Sequence, residues 1–159
     1  MRKEAAMHDF TKILFPVDLS EVSPKIVPYV REMAAKFDAE IHLLFVARIL
    51  QHFTSIYVPH PSVSKFEAEI VKGAETKLQE FVEESFGDDP CKAKVVLGDA
   101  AEEVLKYVQS EGIDLIIMGT HGRKGLEHII FGSVAERVVK KSPVPVLTIN
   151  PYGKSLEST

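Results

Sequence analysis

A single cysteine, Cys91, stands in 159 residues. No disulfide can form within the chain, and this usage fits a reducing cytoplasm. Long apolar runs are also lacking: none approaches the roughly 18–20 residues of a membrane span. The N-terminus, MRKEAAMHDF, has two basic residues but no apolar secretory segment. It reads as a flexible leader over residues 1–9, with Met7 as an alternative start. Positive charge is not in excess, since 19 Lys and Arg face 23 Asp and Glu for a net charge of −4. That balance argues against a broad nucleic-acid surface. The six histidines show no His-Glu-x-x-His or comparable spacing, so no metal site is expected. No Gly-x-x-x-x-Gly-Lys-Ser/Thr loop occurs, which excludes a Walker-type NTPase. No two glycines stand two apart, which excludes the Gly-x-Gly-x-x-Gly dinucleotide fingerprint. Internal repeats and low-complexity segments are absent.

What is present is an alternation of short apolar runs with amphipathic stretches. KILFPVD (Lys12–Asp18), EIHLLFVA (Glu40–Ala47), CKAKVVLG (Cys91–Gly98), IDLIIMG (Ile113–Gly119) and VPVLTIN (Val144–Asn150) read as five strands. The third looks like an edge, with Cys91 a half-buried strand residue, and the fourth looks central. Between the first two, Ser23 is a candidate N-cap with Pro24 at the first helical position. Ile26, Val27, Val30, Met33, Ala34 and Phe37 form that helix's apolar stripe. Arg48–Ser62 carries two prolines and no period, so it reads as a long loop, a mobile surface segment or a lid. Lys65–Phe86 predicts a long helix with Phe66, Ile70, Leu78, Phe81 and Val82 inward. Asp99 and Glu102 resemble a capping box for the next helix, which closes at Gly112. Lys140 and Lys141 suit the C-terminal end of the last helix, and the residues after Asn150 form a polar tail. Strands alternating with helices predict an α/β domain with a parallel sheet and right-handed crossovers. Ligands bind such sheets outside the carboxyl ends of the strands, where the strand order reverses.

One loop lies at such an end: GTHGRKGLEHIIFGS, Gly119–Ser133. Glycines let backbone N–H groups approach a phosphate closely, and a helix N-terminus adds partial positive charge. His121, Arg123 and Lys124 add hydrogen-bonding or basic character, and Ser133 offers a hydroxyl. A second account uses no ligand at all. Gly119 and Gly122 are then turn residues, Ser133 and Glu136 form a capping box, and Asp18 caps the first helix.

The glycine spacing G-x2-G-x9-G-[ST], met by Gly119, Gly122, Gly132 and Ser133, resembles the nucleotide signature of the universal stress protein family. IIMGTHGRKG…IFGSVAERVVKKSPVPVL is similar to that family's C-terminal block, and KILFPVDLSE to its first strand. The resemblance implies a single domain over residues 10–150 with a C-terminal tail at 151–159. Its fold would be a Rossmann-like, flavodoxin-like open sheet of five parallel strands in order 3-2-1-4-5, with helices on both faces. It implies a cytoplasmic homodimer paired through the last strand, Val144–Asn150, and membership of the ATP-binding subgroup, with Mg2+ accompanying the nucleotide. The implied contacts are Pro16, Asp18 and Val46 at the adenosine end. Gly119, Gly122, Arg123, Gly132, Ser133 and Val134 follow along the ribose and phosphates.

Two functions of different class follow. One is an ATP-binding protein of stress physiology in which occupancy is the signal. The other is a non-catalytic interaction module, binding AMP or another adenine nucleotide or holding a vestigial site. No residue is fixed as a base for hydrolysis, so efficient turnover is not expected, while slow hydrolysis or autophosphorylation stays open. A phosphorelay receiver would need an acid ending the third strand, which here ends VVLG.

Overall fold

The computed structural model describes residues 9–48, 60–122 and 131–153. Its elements run β1 (Lys12–Val17), α1 (Ser23–Phe37), β2 (Glu40–Ala47), α2 (His60–Phe86), β3 (Cys91–Leu97), α3 (Ala100–Glu111), β4 (Leu115–Gly119), α4 (Ser133–Lys141) and β5 (Val146–Ile149). All strand pairs are parallel, in the order β3-β2-β1-β4-β5. The expected α/β architecture is the one observed.

The sheet is buried on both faces because its central strands, past the opening Lys12 of β1 and Glu40 of β2, are apolar at nearly every position. Alternation sends Ile13, Phe15 and Val17 into one core, with Ile41, Leu43 and Ile117, beneath α1 and α2. Leu14, Leu44, Ile116 and Met118 enter the other, beneath α3 and α4. His42 is the polar exception. It is fully buried, with Nδ1 2.8 Å from the Tyr107 hydroxyl and Nε2 bonded to Glu40. The start of β1 is pinned to β4 by Asp114, whose carboxylate accepts from the Thr11 amide (2.8 Å), the Thr11 hydroxyl (2.7 Å) and the Lys12 amide (3.0 Å).

Several local expectations are corrected. Ser23 is the first residue of α1 rather than its cap: Val22 holds that position with no side-chain cap, and the Ser23 hydroxyl is committed elsewhere. Helix α2 begins at His60, five residues before Lys65, because Pro61 falls in its first turn, where a missing N–H is tolerated. Phe66, expected inward, is 52% exposed; Leu78 is buried as expected, Phe81 and Val82 pack against the core, and Ala74 and Phe86 join the buried stripe. Asp99 caps α3 by accepting from the Glu102 amide (3.0 Å). The Glu102 carboxylate faces Arg137 at 3.8 Å, so only half of the capping box is identified. Gly112 closes α3 at φ 65°, as expected.

β5 is shorter than Val144–Asn150 and begins after Pro145. The Pro145 carbonyl accepts from the Ile116 amide (3.0 Å) and the Ile149 carbonyl from the Thr120 amide (2.9 Å). Odd positions therefore turn their backbone toward β4, and Val146 and Thr148 turn theirs to the open edge. Pro145 shares the inward parity and leaves that edge its donors. Among the described residues, no helix is long and apolar enough to cross a membrane.

Candidate functional site

Strand order reverses between β1 and β4, so their carboxyl ends frame a crevice. On the β1 side the chain leaves Val17 through Asp18 and then Leu19, which adopts a left-handed conformation at φ 58°. That conformation is unfavourable for a non-glycine residue and must be held by its surroundings. Asp18 holds it. Its Oδ1 accepts from the Ser20 amide (3.0 Å), the Ser20 hydroxyl (2.7 Å) and the Ser23 hydroxyl (2.9 Å). Asp18 therefore organises the turn into α1 and does not cap the helix. Its other oxygen faces Gly122 across the crevice, where a Cβ would lie 2.7 Å from Oδ2. A side chain at Gly122 would force the Asp18 carboxylate to move.

On the β4 side, a Cβ at Gly119 would lie 3.2 Å from the His121 carbonyl and 3.4 Å from Ile26 Cδ1. Thr120, 6% exposed, is a junction. Its amide donates to Ile149 O on β5, its hydroxyl lies 2.8 Å from His121 Nδ1, and its carbonyl accepts from the Gly132 amide at 2.6 Å. That last bond joins the end of β4 directly to the start of α4. A Cβ at Gly132 would sit 3.2 Å from the same carbonyl, which is why glycine belongs there. Arg123 lies outside the described residues.

Ser133 does not act as a cap. Gly132 holds the N-cap position without a side-chain bond, Ser133 is the first helical residue and exposed, and Glu136 is paired with Lys140 at 2.6 Å. The account in which Ser133 and Glu136 form a capping box is therefore overturned. The register is one residue off, since Ser133 follows the cap position. Val46, Val134 and Phe131 pack on the core beneath α3 and α4. Pro16 shares its strand face with Leu14 of that core. The structure thus brings Pro16, Val46 and Val134 to one side of the sheet, with Asp18, Gly122 and Gly132 at the crevice.

Charge at this end of the sheet is partly neutralised. Arg137 Nη1 lies 2.9 Å from Asp99 Oδ2. Together with the Glu102 amide and the Arg48 charge, that bond holds the Asp99 carboxyl below its ordinary range. Among the described residues, no group of three or more His, Cys, Asp or Glu could hold a metal ion.

Sequence reading missed Leu19, Ser20 and Thr120. Asp-Leu-Ser is the spacing of an Asp side chain bonding its own backbone two residues on, so Ser20 was open to recognition. It also missed Tyr152, which lies against His121 with ring centroids 5.5 Å apart.

The universal stress protein family model matches residues 9–150. A universal stress protein of Methanocaldococcus jannaschii, MJ0531, is 34% identical over 146 residues, covering 88% of this chain and 82% of its own. A second from that organism, MJ0577, is 32% identical over 154 residues. Its solved structure superposes with a TM-score of 0.74, covering 90% of this chain and 97% of that one. A universal stress protein family structure from Arabidopsis thaliana, with AMP bound, superposes with a TM-score of 0.58 at 22% identity, a likeness of fold.

Proposed function

This chain belongs to the universal stress protein family, and we propose that it is an ATP-binding member in which nucleotide occupancy acts as a regulatory signal in the stress response. The observation that carries the reading is the pairing of Asp18 with Gly122 across the switch point. A carboxylate there, with one oxygen fully engaged by Ser20 and Ser23, faces a strip of backbone stripped of side chains. A carboxylate repels phosphates but accepts from ribose hydroxyls, so Asp18 takes the nucleoside and the glycines take the phosphates. Pro16, Val46 and Val134 wall the base from the side of α3 and α4. Ser133, free of capping duty, presents its hydroxyl and amide at the start of α4, where the helix dipole favours an anion.

What supports this ligand is the chemistry of the residues: a carboxylate beside bare backbone at Gly122 and Gly132, where a Cβ would press on Asp18 Oδ2 and on the Thr120 carbonyl. Mg2+ bound with the nucleotide supplies charge neutralisation for the phosphates. With Asp18 the one carboxylate at the crevice among the described site residues, the ion is held mainly by the nucleotide's own oxygens.

We also propose a homodimer paired through β5. The open edge offers the Val146 and Thr148 backbone groups, and all four residues of β5 are half-buried within one chain.

Gly132→Val tests the site. Its side chain would press on the Thr120 carbonyl that Gly132's own amide bonds, so ATP binding should be lost while far-UV circular dichroism is retained. A folded variant that binds ATP like the parent would remove the loop from the site.

A further inference from the structure

The segment after β5 reads in sequence as a tail, yet it folds back on the crevice. Asn150, Pro151, Tyr152 and Gly153 form a hydrogen-bonded turn: the Gly153 amide donates to Asn150 O (3.1 Å) and the Tyr152 amide to Asn150 Oδ1 (3.0 Å). Asn at the first place, Pro at the second and Gly at the fourth are residues such turns favour. The turn carries the half-buried Tyr152 ring between two elements. On one side it meets the His121 ring edge-on, 5.5 Å between centroids at 73°. On the other, Lys25 Nζ stands 5.1 Å from its centroid. His121 adjoins Gly122 on the β4 lip of the crevice, and Lys25 lies two residues beyond Ser23, which bonds Asp18 on the β1 lip.

We infer that Tyr152 is a positioning residue for the nucleotide site, a ring that ties the start of the glycine loop to the first turn of α1 and holds the Gly122–Asp18 spacing. The inference rests on the nucleotide reading of that crevice. Both contacts are made by the ring, one to a cation and one edge-to-face, so the ring matters here and the hydroxyl does not. The position of the turn also matters. Ile149, last in β5, accepts from Thr120, so β5, the turn and the glycine loop are linked within a few residues.

The test compares Tyr152→Leu and Tyr152→Phe for Mg–ATP binding by calorimetry, with the His121 ring proton resonances of the nucleotide-free protein as a second readout. Tyr152→Leu should weaken binding by about three- to tenfold, as expected for loss of one aromatic and one cation–ring contact. It should also shift the His121 resonances, which lose the ring current. Tyr152→Phe should restore both. Parent-like ATP affinity in Tyr152→Leu would overturn the inference while leaving the site reading intact, as would equal weakening by Leu and Phe. If the parent protein bound no adenine nucleotide, the site reading itself would fail and the positioning role with it, even if the His121 shift still reported the contact.

Discussion

Asp18 and Gly122 face each other across the point where strand order reverses, with 2.7 Å between Asp18 Oδ2 and the place a Gly122 Cβ would take. This one approach couples the β1–α1 turn to the glycine loop. Gly122→Ala should destabilise the nucleotide-free protein by about 1–3 kcal/mol, the usual cost of overpacking. In an Asp18→Ala background the obstacle is gone, and most of that cost should vanish. Denaturant unfolding of the four proteins measures the coupling; additive costs would mean the two residues do not meet.

Acid should expose the role of Asp114. Burial pushes its carboxyl up, but the Thr11 hydroxyl and the Thr11 and Lys12 amides outweigh that and leave it below its ordinary value. A lowered folded value contributes stability that is whole above the unfolded value, near 3.9, and is lost as pH falls through the folded one. The stability difference between the parent and Asp114→Asn should therefore be flat from neutral pH down to about 5 and shrink below about 4. A difference that persists undiminished at low pH would contradict this.

The edge of β5 predicts opposite outcomes for adjacent residues. Thr148→Pro removes an outward N–H and should give a folded monomer in sedimentation velocity. Leu147→Pro removes an N–H turned toward β4 and should impair folding. A Thr148→Pro protein that remained dimeric would place the interface elsewhere.

The fold was largely legible because each strand is a short apolar run and each helix has a period, features that are local. The glycine spacing at Gly119, Gly122 and Gly132 was legible for the same reason. What sequence could not supply was distance. Phe66 has helical spacing with Ile70 and is exposed all the same, since apolar character alone does not place a residue inside. Ser23 and Ser133 both look like caps, and each is displaced by one residue, since cap position depends on the angle at which the chain enters the helix. The Asp18–Gly122 approach and the Tyr152 contacts join segments about 100 residues or more apart in the case of Asp18, and some 30 in that of Tyr152 and His121, and no local pattern announces either.

The central claim is that the crevice holds a triphosphate. Calorimetric titration of the nucleotide-stripped protein with Mg–ATP, and with AMP in parallel, tests it most directly. The account predicts one ATP per chain, with AMP weaker by at least about tenfold, or 1.4 kcal/mol. Equal affinities would reduce the site to an adenosine pocket, and a folded protein that takes up neither nucleotide would contradict the account.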